Sequence, residues 1–161
     1  MKVLLDANVN GKPYRREVDS RLLLVDFLRD ELRLTGTHIG CLTGSCGACT
    51  VMLDNRTVKS CCVLACDVNG SGITTIEGIS SSIDALHPIQ EAFVAEHGLQ
   101  CGYCTPGMVL STLQLLREKS DPTEGEIRRA IAGNLCRCTG YHNIVKSIHA
   151  AAKLVKTSAA A

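Results

Sequence analysis

The feature that most constrains this chain is a short run containing Cys41, Cys46 and Cys49, with a further cysteine, Cys61, beyond it. The C-x4-C-x2-C spacing is that of plant-type [2Fe-2S] ligation, in which a fourth cysteine comes from further along the chain. Glycines at 40, 44 and 47 are interleaved with these cysteines. Glycine permits the left-handed backbone and the close N–H approach that a loop around a small cluster requires. The run therefore predicts a redox metal site.

Two other uses of cysteine compete with this interpretation. Disulfides need an oxidising compartment, and structural zinc is usually held by C-x2-C pairs in a tetrahedral array. The chain has ten cysteines in 161 residues. Its apolar start, Met1–Leu5, is interrupted by Asp6 and Asn8 before it reaches the length of a secretory signal. We therefore expect a cytoplasmic metalloprotein with reduced thiols.

Composition excludes several classes of function. The hydrophobic content of 45% is ordinary for a globular protein, aromatic residues make up only 3%, and the net charge is +1. There is thus no electrostatic case for binding nucleic acid or an anionic membrane, and no aromatic platform for stacking bases. No apolar stretch has the length of a transmembrane helix.

The first half of the chain has the pattern of a small α+β domain ending near Gly78. Asn10-Gly11 predicts a hairpin with a type I′ turn, and leucines at helical spacing predict a helix over 22–32 with Ser20 as its cap. Further strands are predicted at Thr50–Leu53, around Thr57-Val58 and at Ile73–Ile76.

The second half has helical periodicity and is predicted to form a four-helix bundle. A serine-rich linker at 79–82 precedes four helical segments, at 83–97, 106–119, 123–132 and 142–156, with a frayed tail from Thr157. Thr123 and Glu126 match a capping box. The first segment is expected to turn one apolar face inward, formed by Ile83, Leu86, Ile89, Phe93 and Val94.

A second set of cysteines lies in the segments between these helices: Cys101, Cys104, Cys136 and Cys138. Helix N-termini lower thiol pKa values and favour anionic groups, so this set predicts a second metal site. A C-x2-C pair and a C-x-C pair suit tetrahedral zinc as well as a [2Fe-2S] cluster, and these four residues alone do not separate the two.

Taken in order, the motifs of the whole chain resemble one known family. The matching segments are 34–37, 40–41, 46–50, 58–61, 99–108 and 133–141, including Gln100-Cys101-Gly102-Tyr103-Cys104 and Cys136-Arg137-Cys138. They resemble the small iron-sulfur subunit of the molybdenum hydroxylases, the xanthine oxidase family, in the bacterial three-subunit form typified by aerobic carbon monoxide dehydrogenase.

The resemblance implies an α+β fold with two cluster-binding domains. A plant-type ferredoxin-like β-grasp domain at 1–78 would bind one [2Fe-2S] cluster, and a helical domain at 83–161 would bind the other. The implied ligands are Cys41, Cys46, Cys49 and Cys61 for the first cluster, and Cys101, Cys104, Cys136 and Cys138 for the second.

The resemblance also implies partners. Electrons would pass from a molybdopterin in a large subunit, of the cytosine dinucleotide form, through the helical and then the N-terminal cluster to FAD in a medium subunit. The expected assembly is an (αβγ)2 heterohexamer, in which Gln100 and the Cys138 region contact the pterin. Relatives act on N-heteroaromatic compounds, carbon monoxide or aldehydes. A free-standing ferredoxin-type carrier and a zinc-stabilised interaction module are the alternatives.

No catalytic machinery is evident in the chain itself. It contains no nucleophile and base pair, no phosphate loop and no dinucleotide fingerprint, so we expect no substrate turnover by this chain alone. Cys61 is followed directly by Cys62, and in an extended chain only one of the two can face a cluster. The resemblance selects Cys61, and Cys62 and Cys66 are then expected to be small buried hydrophobic residues.

Overall fold

The computed structural model describes residues 1–80, 82 and 84–159, and the predicted α+β class is confirmed. The first half holds a five-stranded mixed sheet with the order β2-β1-β5-β3-β4, in which only the β1–β5 pair is parallel. The strands are β1 (Lys2–Val9), β2 (Lys12–Asp19), β3 (Thr50–Leu53), β4 (Arg56–Lys59) and β5 (Gly72–Thr74).

The hairpin predicted at Asn10-Gly11 is confirmed, and the predicted strands β3 and β4 pair as a second hairpin. Both turns need residues with positive φ. Asn10 and Gly11 have φ values of 52° and 79°, as a type I′ turn requires, and they join Val9 to Lys12 in the β1–β2 register. Asp54 and Asn55 make the second turn, with φ values of 45° and 71°. β5 ends at Thr74 rather than at Ile76, and a 3-10 turn follows at Ile76–Gly78.

The first helix is shorter than the predicted 22–32. Helix α1 (Leu24–Asp26) continues into a π-helical turn at Phe27–Glu31, and Ser20 does not cap it. The reason is a β-bridge between Leu23 and Leu64, flanked by the hydrogen bonds Leu24 N to Val63 O and Ala65 N to Leu22 O, both 2.8 Å. The backbone is therefore extended where the leucine spacing predicts helix.

The core of this half lies between the sheet and the first helix. Alternate residues of β1 point inward and are buried, as are the apolar residues of the helix; the cluster includes Leu5, Ala7, Val9, Leu24, Phe27, Leu28, Val51 and Ile73. This packing fixes the segment that precedes the first cysteine loop.

The second half is helical. It consists of α2 (Pro88–Ala95), α3 (Thr105–Glu118), α4 (Glu124–Ala130) and α5 (His142–Ala159). The predicted capping box of α4 is confirmed, because Thr123 Oγ1 accepts from Glu126 N and the Glu126 carboxylate accepts from Thr123 N. Helix α5 continues to Ala159, past its predicted end at Lys156. Residues 160 and 161 of the predicted tail lie outside the described residues.

Helix α2 begins at Pro88 and not at residue 83. His87 Nδ1 accepts a hydrogen bond from Ile89 N (3.2 Å), and Gln90 Oε1 accepts one from His87 N (3.0 Å), which together cap the helix. Ile89 and Phe93 are buried as predicted, whereas Leu86 and Val94 are 39% and 58% exposed. The predicted linker residue Ser81 and the predicted core residue Ile83 lie outside the described residues.

The sheet and the helices pack directly against each other through α3. Thr57 donates to Gln114 Oε1 from its backbone nitrogen (2.7 Å) and from its hydroxyl (2.8 Å), and Arg117 donates to Asn55 Oδ1 (3.0 Å). Among the described residues, no helix combines the length and apolar character needed to cross a membrane.

Candidate metal centres

The first cysteine loop is shaped around sulfur atoms. Backbone N–H groups of Thr43 and Cys46 donate to Cys41 Sγ at 3.3 and 3.4 Å. Hydrogen bonding from the Thr43 side chain, and then these backbone bonds, lower the pKa of the Cys41 thiol to about 6. A Cβ at position 40 would lie 2.8 Å from Cys46 Sγ, so only glycine fits there. Donors aimed at a thiolate and a cradle without side chains are what an anionic iron-sulfur cluster needs.

Cys49 and Cys61 form the buried side of the same site. They are 2% and 5% exposed, and burial raises the pKa of both thiols. Cys61 is hydrogen-bonded to the Cys49 thiol and to the backbone of Gly44, so it faces the loop that carries the other three cysteines. The structure therefore brings all four predicted residues of the first set to one loop.

The expectation for Cys62 is wrong, because this residue is exposed rather than buried, while Cys66 is only partly buried. The expectation assumed an extended chain, but residues Ser60–Cys62 form a 3-10 turn. The Sγ atoms of Cys61 and Cys62 consequently lie 3.7 Å apart instead of on opposite faces.

The second set also comes together, from the segment between α2 and α3 and the segment between α4 and α5. Cys101 Sγ and Cys138 Sγ are 3.4 Å apart and exposed, whereas Cys104 and Cys136 are hydrogen-bonded to each other at partly buried positions. Burial, and then contact with Cys136, raise the pKa of Cys104 to about 12. Cys136 is also partly buried, but hydrogen bonds from Thr139, whose Oγ1 lies at 3.1 Å, lower its pKa.

The thiols of the second set are in contact as two pairs, Cys101 with Cys138 and Cys104 with Cys136. Tetrahedral zinc requires four ligands around a single ion, whereas in a [2Fe-2S] cluster four cysteines are shared between two irons. Contacts of two thiols at a time fit the two-iron centre.

A hydrogen bond between backbones joins the two cysteine sites. Leu135 N donates to Cys46 O at 2.8 Å, and Leu135 directly precedes Cys136. The approach is close: a Cβ on Gly47 would lie 2.1 Å from Gly133 O, and one on Gly107 would lie 2.5 Å from Gly47 O. The glycines therefore allow the two sites to be in direct contact.

A buried polar network holds this junction together. Asn134, 2% exposed, donates to Gly47 O (3.0 Å) and Thr50 Oγ1 (3.2 Å), and it accepts from Ser111 Oγ (3.0 Å) and Lys59 Nζ (3.3 Å). Sequence reasoning missed its role. Asn134 lies in the segment 133–141, and nothing local in the sequence indicates that its partners come from the other domain.

His38 and Tyr103 form a second contact between the cysteine segments. Their rings stack with centroids 4.6 Å apart, His38 Nδ1 lies 2.8 Å from Tyr103 O, and Tyr103 Oη donates to Ile39 O at 2.6 Å. Gln100 and Cys138, the residues expected to contact a pterin, are both exposed; Gln100 directly precedes Cys101, whose Sγ contacts Cys138 Sγ at 3.4 Å.

With one four-cysteine site in the sheet-containing half and one in the helical half, the chain has the form of a protein that binds two [2Fe-2S] clusters. Comparison with protein families agrees: residues 7–72 match the "2Fe-2S iron-sulfur cluster binding domain" and residues 75–149 match the "[2Fe-2S] binding domain". The chain therefore carries two [2Fe-2S] binding domains.

Relatives and solved structures define the class further. The chain is 49% identical over 150 residues to caffeine dehydrogenase subunit gamma of Pseudomonas sp. (strain CBB1), covering 90% of this chain and 88% of that protein. It is 46% identical over 147 residues to the nicotine 6-hydroxylase small subunit of Paenarthrobacter nicotinovorans, covering 91% and 88%. Quinoline 2-oxidoreductase of Pseudomonas putida 86 superimposes with a TM-score of 0.92 at 40% identity, covering 97% of both chains.

Larger proteins contain the same unit. Aldehyde oxidase 2 of Rattus norvegicus is 46% identical over 154 residues, and the match covers 89% of this chain but only 11% of that protein. The chain belongs to the small iron-sulfur subunits of the molybdenum hydroxylase family. Its role is electron transfer as the iron-sulfur subunit of an oxidoreductase complex.

Proposed function

We propose that this chain relays electrons between a molybdopterin and FAD, each held by a partner subunit. Each [2Fe-2S] cluster, when bound, takes up and releases one electron. The observation that carries the proposal is the Leu135 N–H to Cys46 O hydrogen bond, because it joins the backbones of the two cysteine segments at 2.8 Å. The chain itself supplies the positions and surroundings of both centres.

The proposed ligands follow the two observed groups of thiols. Cys41, Cys46, Cys49 and Cys61 would hold the N-terminal cluster, and Cys101, Cys104, Cys136 and Cys138 the helical one. The proposed division is a ferredoxin-like domain at 1–78, a linker at 79–82 and a helical domain at 83–161. The end of the sheet at Thr74 and the start of α2 at Pro88 support this division.

The helical site is proposed to face the molybdopterin, in its cytosine dinucleotide form, and the N-terminal site to face FAD. Exposed Cys138 and Gln100 support the first assignment, because a partner's cofactor can reach them. The proposed assembly is an (αβγ)2 heterohexamer with a large and a medium subunit. A reducing, cytoplasmic location is proposed as well, because cysteines that bind iron have to be kept from forming disulfides.

We infer that the complex acts on an N-heteroaromatic compound. Three proteins that resemble the chain carry the names caffeine dehydrogenase, nicotine 6-hydroxylase and quinoline 2-oxidoreductase, and each of these names refers to a nitrogen heterocycle. Substrate selection would lie in the large subunit, because this chain offers no nucleophile and base pair.

The proposal is tested by low-temperature EPR of the dithionite-reduced complex, purified with its co-expressed partners, with iron and sulfide measured on the same sample. We expect two distinct signals and about four irons per chain. Cys136→Ala should remove one signal, whereas the control Cys66→Ala should retain both. Zinc in the helical site, a single signal, or a chain that purifies without partners would contradict the relay.

A further inference from the structure

Lys59 is the charged side chain that reaches into the junction between the two cysteine sites. It is the last residue of β4 and precedes Cys61 by two positions. Its ammonium group donates to Thr50 Oγ1 at 2.8 Å and to Asn134 Oδ1 at 3.3 Å. Thr50 directly follows Cys49 and Asn134 lies two residues before Cys136, so one cation touches both cysteine segments.

The charge of Lys59 is neither neutralised nor strongly screened by its surroundings. The cysteine loop from 40 to 50 contains no charged side chain, so no carboxylate within it neutralises the ammonium group. Lys59 is half-buried, and its two hydrogen-bond partners, the Thr50 hydroxyl and the Asn134 amide oxygen, are neutral. Half-buried charges are screened by salt much less than exposed ones. The field of Lys59 therefore acts on the nearest sulfurs.

The field is not equal at the two sites. Lys59 lies two residues before Cys61, and its ammonium group donates at 2.8 Å to the hydroxyl of Thr50, which directly follows Cys49. Its contact with the second set passes through the neutral Asn134 amide. A positive charge favours the reduced, more negative state of a nearby cluster, and it does so more strongly at the shorter distance.

We propose that Lys59 sets the direction of electron flow within the chain by making the N-terminal cluster the better electron acceptor of the two. This inference rests on the proposed relay and adds a potential-setting residue to it. Lys59 is a positioning residue in this scheme, because it is not a ligand and acts through its charge and its hydrogen bonds.

The test is an EPR-monitored redox titration of the purified holo complex, with Lys59→Met compared with the native chain. We expect the N-terminal cluster to become harder to reduce, so that the equilibrium constant for one-electron transfer from the helical to the N-terminal cluster falls about tenfold, or ~59 mV. Lys59→Arg should keep most of the native difference between the two cluster potentials, because it keeps the charge. Lys153→Met, on the exposed side of α5, should leave both potentials unchanged.

A structural role alone would give a different result. In that case Lys59→Met and Lys59→Arg would lower the unfolding temperature similarly and leave the difference between the two potentials unchanged, which would overturn the inference. Equal shifts of both clusters would also overturn it. Loss of either EPR signal from the native complex would instead refute the proposed relay, so the two failures are distinguishable.

Discussion

Replacing Asn134 by alanine should loosen the contact between the two domains. The change removes four hydrogen bonds, to Gly47 O, Thr50 Oγ1, Ser111 Oγ and Lys59 Nζ, at a site that is 2% exposed. A buried hydrogen bond contributes about 1 kcal/mol net, so the loss amounts to about 4 kcal/mol. For a chain of this size, the unfolding temperature should fall by about 8–16 °C.

The assay is thermal unfolding followed by circular dichroism and by visible absorption of the clusters. Asn69→Ala is the matched control, because its side chain makes a single hydrogen bond, from Asp6 N, at an exposed site. We expect this control to shift the unfolding temperature by only a few degrees. An Asn134→Ala variant as stable as Asn69→Ala would refute the role given to the junction network.

Three further predictions concern the backbone, the ligands and pH. Gly47→Ala should disrupt domain docking and lower the unfolding temperature, because its Cβ would lie 2.1 Å from a carbonyl oxygen of the other domain. Gly11→Ala, with a similar φ but an open site, should cost only about 1–2 kcal/mol of backbone strain. Equal unfolding temperatures for these two variants would contradict this. Cys61→Ala should abolish the N-terminal EPR signal while Cys62→Ala retains it, and the reverse result would reassign the fourth ligand. Burial, and then a nearby guanidinium, lower the pKa of His87, so the neutral cap of α2 stabilises the fold above pH 6.5 and is lost as pH falls through the lowered pKa. Between pH 7.5 and 5.5, the unfolding temperature of His87→Asn should therefore depend less on pH than that of the native chain. An unchanged pH dependence would exclude the cap as the cause.

Local signals were sufficient for much of the fold. The turn at Asn10-Gly11 and the capping box at Thr123 depend on residues close together in sequence, and both are confirmed. The start of the first helix was not predictable in this way. The bridge between Leu23 and Leu64 joins residues far apart in sequence, and this pairing overrides the helical spacing of the leucines.

The two cysteine sites show the same difference between what local sequence predicts and what depends on residues far apart in sequence. Cysteine spacing indicated both groups of thiols, but it is the fold that brings Cys61 to the first group and Cys138 to Cys101, 37 residues away. The exposure of Cys62 depends on a 3-10 turn that the adjacent strand pattern does not indicate. The roles of Lys59 and Asn134 depend on how the domains dock, which a single sequence does not specify.

Docking is also what distinguishes a relay from two independent metal domains. Gly47 belongs to the first cysteine loop, and its carbonyl accepts from Asn134, which belongs to the second cysteine segment. The absence of a side chain at Gly47 and at Gly107 permits this approach, since a Cβ on either would collide with backbone. Any change that separates the domains would therefore break the Leu135–Cys46 hydrogen bond before it disturbs the thiols of either site. Electron transfer between the clusters is thus expected to be more sensitive to these two glycines than cluster binding in either domain is.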